Sequence, residues 1–484
     1  MQNILATLPD KLSVDRDANA VLRYLPAAND FIGSLPAAIV RPVNLAQLRE
    51  LIVWANENKC PLVPVSSSDG PRRRGATWPS RSAVVVDLSG MNRVINVDSN
   101  DCIAVIEPGV TFPEFDAALK RHGLRSFKPL LPRRNKSVLT SYLEREPITS
   151  PHDHWDSEDP VGGMQVVFGN GETFRTGTAA VNGELDEQLK KGARQMMALG
   201  PAATDFLRVV QGSQGTLAIA AWASAYCEPT PALEKAFFIG ADDIAPLIEL
   251  AYRILWRRQG GQLFIVNNAQ LALIGSNDKS SFSARSAHLP GWILYVNLTT
   301  LDYLPEERMA YLVSDLKADA AALGLSIVDQ LGGYSATDIG AQQSELQQVQ
   351  YKDRLYGAHR SVFFLTQLDK TPKFIAELDA LRDGNESTSG PVGVYLQPRI
   401  QGVNCHFEVI LPFNPADGTM TQRTAALAER SAKRFADAGA FFSRPYGTWS
   451  QIAFGKDQTI QRHLTTVKEL FDPNGILSPG RLCF

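Results

Sequence analysis

Short runs of consecutive apolar residues alternate along this chain with segments in which apolar positions recur every three or four residues. The first clear unit is Ala38 to Val65. Ala38-Ile39-Val40 reads as a strand. Asn44 then stands as a helix N-cap, with Gln47 three residues on and Leu45, Leu48, Ile52 and Trp54-Ala55 at helical spacing; Leu62-Val63-Pro64-Val65 returns as a strand. Val84 to Leu88 and Cys102 to Ile106 are strands of the fully buried type, and Phe112 to His122 is an amphipathic helix ended by Gly123. Met164 to Phe168 and Glu172 to Arg175 flank Gly169-Asn170-Gly171, a hairpin signal. Pro229-Thr230-Pro231 breaks the pattern and marks a boundary. Beyond it, strands are expected at Ala236 to Ile239, Trp292 to Leu298, Ser361 to Thr366, Gly393 to Leu396 and Cys405 to Leu411. Helices are expected at Ala245 to Arg257, Met420 to Ala438 and Gln461 to Leu470, the last stopped by Asp472-Pro473. A sheet covered by helices is the architecture this second alternation predicts.

Composition narrows the class. A chain of 484 residues exceeds one ordinary core, so two domains are expected. A net charge of -3 argues against a nucleic-acid partner. No apolar run approaches a membrane span, and the first ten residues lack a basic, apolar leader, so a cytoplasmic protein is expected. Cys60, Cys102, Cys227, Cys405 and Cys483 are scattered without a C-x-x-C pair, which suits a reducing compartment and no thiolate metal centre.

The chemistry lies in runs that recur in a fixed order. They are Val85 to Arg93, Ile106 to Phe112 (I-E-P-G-V-T-F), Gly171 to Gly177, Gln211 to Leu217 (Q-G-S-Q-G-T-L) and, at the end, Phe471 to Arg481 (F-D-P-N-G-I-L-S-P-G-R). In this order the set resembles the vanillyl-alcohol oxidase / p-cresol methylhydroxylase flavoproteins, whose relatives include D-lactate and glycolate dehydrogenases. The resemblance implies an α+β, two-domain FAD-binding fold. Its FAD domain is split, with an N-terminal part (1–231) and a C-terminal return (451–484), and the substrate domain between them (232–450) is an antiparallel sheet covered by helices.

The resemblance also assigns roles. Family members cradle the FAD diphosphate in a small-residue loop, where several backbone amides can converge on one anion. The matching loop runs from Val65 to Thr77, with Ser66, Ser67, Ser68, Gly70 and Gly75 in that role. Arg72, Arg73 and Arg74 replace the usual glycines; they either neutralise the diphosphate directly or form a solvated basic turn. Pro108, Gly109, Ser137, Val138, Ser141, Gly212, Gly215, Thr216 and Arg481 complete the expected cofactor contacts. Thr140-Ser141 and Glu146 stand where relatives carry Gly-Asn and Gly. The cofactor loop contains neither His nor Cys, so FAD is expected to bind noncovalently.

For the reaction, Leu143 to Glu146 followed by His152-Asp153-His154 resembles the phenol-oxidising branch. Asp153 falls where that branch places an acid beside the flavin, to orient substrate or carry a proton; the alternative is an exposed loop carboxylate. The two histidines around it form a weaker metal-ligand pattern, which the family match makes unnecessary, and no metal is expected. In Phe441 to Gly447, Arg444 keeps the family's anion clamp, Ser443 replaces its tyrosine partner and Tyr446 is close by. A guanidinium fork suits a planar anion; a surface ion pair is the alternative. The expected protein is an FAD-linked dehydrogenase that takes a hydride from a carbinol or benzylic carbon of a small anionic organic substrate. That substrate is either a 2-hydroxy acid or a para-substituted phenol. It would work as a homo- or hetero-oligomer, with an electron-transfer subunit as a possible partner. The competing expectation is a flavin-poor structural subunit of a larger complex, because glycines that let backbone approach the flavin have been replaced.

Overall fold

The structure is a computed structural model describing residues 2–24, 34–68, 82–151, 160–180, 183–193, 195, 206–383, 391–455 and 457–484. Gly70, Arg72, Arg73, Arg74, Gly75 and Asp153 lie outside the described residues.

Three main sheets order the chain. In the first, strands run in the order Ser13–Asp15, Ala38–Arg41, Val84–Asp87, Leu62–Val65. The last three are mutually parallel, so the chain must cross over between Ala38–Arg41 and Leu62–Val65. The helix Leu45–Glu57 makes that crossover, and the Asn44 side chain caps it by accepting from the Gln47 N–H. Its buried positions Leu48, Leu51, Ile52 and Ala55 pack on the strands.

The second sheet is antiparallel, in the order Val94–Asp98, Ile103–Ile106, Ala218–Pro229, Val161–Phe168, Thr173–Arg175. The Gly169-Asn170-Gly171 turn closes its expected hairpin, pairing Val167 with Thr173. Its longest strand, Ala218–Pro229, was not foreseen: it is Ala-rich, and its small apolar residues carry little of the β-branched or aromatic signal of a strand.

The third sheet has seven strands, in the order Ile327–Val328, Leu233–Ala241, Trp292–Thr300, Gln262–Asn267, Gly393–Arg399, Asn404–Phe413, Ala358–Thr366. Strand alternation gives it two different faces. From the last strands, Val362, Phe364, Val394, Leu396, Cys405, Phe407, Val409 and Leu411 point into a core closed by helices Ala245–Trp256, Pro305–Ala322, Thr371–Asp383 and Gly418–Asp437. Phe364 is its centre, stacked on Phe407 at 5.0 Å and flanked by Phe374 and Phe435. On the opposite face the same strands present Phe363, Tyr395, Gln397, Arg399, His406 and Glu408.

The C-terminal run returns to the first sheet. Helix Gln458–Phe471 ends at Asp472, after which Leu477 bridges to Leu62 in parallel. The Leu62 N–H donates to Ile476 O, and the Ser478 N–H donates to Leu62 O, both at 2.8 Å. Asp472 is buried; it accepts from the Ile476 and Leu477 amides and pairs with Lys468, whose ammonium also reaches the Leu477 and Thr216 carbonyls. Burial pulls the Lys468 ammonium below its ordinary range, and Asp472 opposes that pull. The D-P-N-G-I-L phrase is therefore a polar lock between the two ends of the chain.

Candidate active site

A cleft runs between the ends of these elements. One wall is the end of the strand Leu62–Val65 with Ser66 and Ser67, another is Leu88 and Pro108, and a third is Ser213, Gln214 and Gly215 leading into Ala218, Ile219 and Ala220. The short helix Val138–Leu143 supplies the fourth. Ser137 caps that helix by accepting from the Thr140 N–H, while its own hydroxyl donates to Pro108 O at 2.6 Å. The Ser137 N–H donates to the Ser67 hydroxyl, and the Ser66 and Thr140 hydroxyls hydrogen-bond to each other, so the two small-residue turns are tied together.

This cap explains which residues face the cleft. Val138, Ser141 and Tyr142 turn inward and are buried, Ser141 donating to Glu146. Lys136, Leu139, Thr140, Leu143 and Glu144, at helical spacing, line the cleft. Of the expected cofactor contacts, Ser66, Ser67, Pro108, Gly215 and Arg481 line the cleft, as does Tyr446. Ser68 is exposed at the end of the described loop. Gly109, Ser137, Val138, Ser141, Gly212 and Thr216 stand behind the wall: the Gly109 N–H donates to Met91 O, Val138 to Val110 O, Gly212 to Leu143 O and Thr216 to Ser213 O. Gly109 is required sterically, since a Cβ there would lie 2.5 Å from Ser89 O and 2.7 Å from Leu88 O. Gly215 has φ +72°, and a Cβ would meet Pro64 at 2.7 Å.

Among the described residues, the cations Arg133, Lys136 and Arg481 face the cleft with the carboxylate of Glu144. Lys136 lies 3.0 Å from Glu146 and 3.7 Å from Glu144. Arg481 donates to Gln214 O at 3.0 Å; burial pulls its guanidinium pKa below the ordinary range, and Glu144 opposes the shift. Gln214 in turn donates to Pro445 O, fastening the segment that bears Arg444 and Tyr446.

Arg444 is not on the cleft wall. It is buried, its guanidinium carbon 4.3 Å from the centre of the Phe363 ring, and Tyr446 meets the same ring edge-on at 6.0 Å. Tyr446, which lines the cleft, thus touches Phe363 on the polar sheet face. There the Lys352 ammonium lies 2.6 Å from Glu408, and His406 Nε2 is 3.6 Å from the other Glu408 oxygen. Burial alone would raise the Glu408 carboxyl, but Lys352 and His406 outweigh it and hold it well below the usual range. Burial lowers His406 to about 4, Glu408 opposes, and Arg444 and Arg399 add to the lowering, so the imidazole is neutral. Tyr395 donates to Gln397 at 2.6 Å, and Gln397 donates to Leu263 O, which lies beside Thr149. Sequence reasoning missed this cluster, although His406 and Glu408 alternate with apolar Cys405, Phe407 and Val409, which is how a buried polar strand face reads.

Residues 36–177 match the protein family described as an FAD binding domain. Residues 36–177 are thus an FAD-binding domain, and the relatives found are flavoproteins of the p-cresol methylhydroxylase and glycolate oxidase kind. The flavoprotein subunit of 4-cresol dehydrogenase (hydroxylating) from Pseudomonas putida is 26% identical over 44% of this chain and 39% of its own length. The glycolate oxidase subunit GlcD of Bacillus subtilis is 28% identical over 45% of this chain and 43% of its own length. The matched stretch therefore spans less than half of either relative. The structure of a 4-ethylphenol oxidase from Gulosibacter chungangensis superposes over 99% of this chain and 96% of its own, with a TM-score of 0.82 at 16% identity, which establishes the shared two-domain flavoprotein fold. No helix among the described residues is long and apolar enough to cross a membrane.

The cleft fits the cofactor of these flavoproteins. Among the described residues that line it, three are cations and one is a carboxylate, a balance that suits a diphosphate; its hydroxyl-bearing turns are small, and its far wall is apolar Ala218, Ile219 and Val210.

Proposed function

We propose that the protein is an FAD-dependent oxidoreductase that takes a hydride from a carbinol carbon of a small anionic organic substrate. The observation that carries this reading is the place of Arg444: a buried guanidinium one aromatic ring behind the wall of the cofactor cleft. FAD, when bound, supplies the hydride acceptor. Ser66, Ser67, Lys136, Arg133 and Arg481 hold it in the cleft, noncovalently. Residues 1–231 and 451–484 form the part that binds it, with Leu477 on Leu62 as the seam, and residues 232–450 carry the substrate face. Arg444 orients the substrate anion, and Phe363, Tyr446 and Trp449 exclude water around it. Asp153 takes up or orients the hydroxyl proton. A 2-hydroxy acid is favoured over a phenol because Ser443 replaces the tyrosine that would pair with Arg444, while the buried cations favour a carboxylate.

The test is anaerobic mixing of the FAD-loaded chain with 2-hydroxy acids and para-alkyl phenols, following loss of the oxidised-flavin colour. With the reactive compound in hand, Arg444→Lys keeps the charge but loses the fork. The variant is expected to raise KM by about one to two decades and leave kcat similar. An Arg444→Lys enzyme with FAD bound and both constants unchanged contradicts the clamp.

A further inference from the structure

Arg133 stands on the cleft wall, yet it is carried by a loop between the strand Leu124–Ser126 and the helix Val138–Leu143 rather than by either element. Two residues before it the backbone is strained: Leu131 is buried and has φ +45°, a region that side-chain-bearing residues rarely adopt. Such a conformation persists only where its surroundings impose it. Gln343, 6% exposed and at the end of the helix Ala336–Gln342, is the neighbour that grips it. Its carboxamide accepts from the Leu131 N–H at 2.7 Å and donates to Pro129 O at 2.6 Å, the pair of bonds that an adjoining strand would supply. Lys128 adds a contact from its ammonium to Gln343 O at 3.3 Å. On the far side of Arg133, the Arg134 N–H donates to Gln347 O at 2.8 Å. Arg133 is therefore bracketed by attachments to residues 343–347, more than two hundred positions along the chain.

Both bonds of the Gln343 carboxamide are buried, and breaking them leaves a backbone donor and a backbone acceptor without that partner. The loop would then relax toward an ordinary φ at Leu131, and the guanidinium two residues on would leave its place on the wall. We propose that Gln343 is a positioning residue for the cofactor: from the segment assigned to the substrate face, it fixes where Arg133 meets the FAD. This rests on the proposed function above, in which Arg133 holds the cofactor, and deepens it. It also makes FAD affinity depend on how the segment around residue 343 is seated against the cleft.

A double-mutant cycle on the full chain, freed of flavin and titrated with FAD while flavin fluorescence is followed, tests the inference. Gln343→Met keeps the length of the side chain and removes both bonds. Gln343→Met and Arg133→Met are each expected to weaken FAD binding by about ten- to hundredfold, the loss of one charge-assisted contact. The double variant should bind no more weakly than Arg133→Met alone, because Gln343 acts through Arg133; a residue that only supports the fold would give losses that add. Gln343→Glu keeps the acceptor for the Leu131 N–H and loses the donor to Pro129 O. It should weaken binding less than Gln343→Met, and it replaces that variant in the cycle if the Met chain does not fold. Unchanged affinity in Gln343→Met, unchanged affinity in Arg133→Met, or additive losses overturn the positioning role while leaving the cofactor cleft intact. If the unaltered chain takes up no FAD, the proposed function falls, and this inference with it.

Discussion

His406 makes the strongest claim that can be weighed without a substrate. Its ring is 2% exposed and packed by Phe363 and Tyr395, with Glu408, Arg399 and Arg444 as its charged neighbours. Burial lowers it from 6.5 to about 4. The unfolded chain takes up this proton below the ordinary value, whereas the folded chain resists until about 4, so stability falls as the pH falls through that window. At about 1.4 kcal/mol per tenfold in acidity, the full effect is about 3 kcal/mol, and the part lost between about pH 7 and about pH 5 is about 2 kcal/mol. Glu408 is held below its ordinary 4.5, so its contribution is lost in stronger acid and stays outside that interval. His406→Gln removes the titrating ring and keeps an amide beside Glu408. Urea unfolding followed by tryptophan fluorescence at the two pH values should show the unaltered chain losing about 2 kcal/mol more than the variant on acidification. Parallel losses in the two proteins would refute a buried neutral imidazole.

Two further outcomes follow from the fold. Asp472→Ala leaves Lys468 buried without its carboxylate and frees two amides, so a loss of about 3–5 kcal/mol is expected, visible as a lower unfolding midpoint; an unchanged midpoint would show that the lock is idle. Gly109→Ala drives a Cβ onto three backbone oxygens and should cost about 1–3 kcal/mol, whereas Gly90→Ala, with open space around it, should be near neutral; similar values for both would contradict the packing.

The fold was legible where local signals agree. The Asn44 cap and the Leu45–Glu57 helix, the 169–171 hairpin and the Asp472 stop were each marked by capping or turn chemistry and by apolar spacing. The strands Ala218–Pro229 and Gln262–Asn267 and the helix Pro305–Ala322 were not read. The first is alanine-rich, and the helix has few buried positions spread over eighteen residues. At the cleft, family phrases drew attention to Ser137, Val138 and Ser141, yet the helix they begin turns Lys136, Leu139, Thr140 and Glu144 toward the space instead. Helical spacing across residues 136–144 carried that information. The Arg399–His406–Arg444 cluster was not readable as a unit, because strand pairing brings together residues far apart in the chain.

The central claim is that this cleft holds FAD. The visible spectrum of the purified chain, after incubation with excess FAD and removal of what stays free, tests it most directly. An oxidised-flavin band near one FAD per chain, released into the supernatant by acid, is the predicted result. Colour that stays with the acid pellet would contradict noncovalent binding. A colourless chain that takes up no FAD would contradict the account itself and favour a structural subunit on a flavoprotein fold.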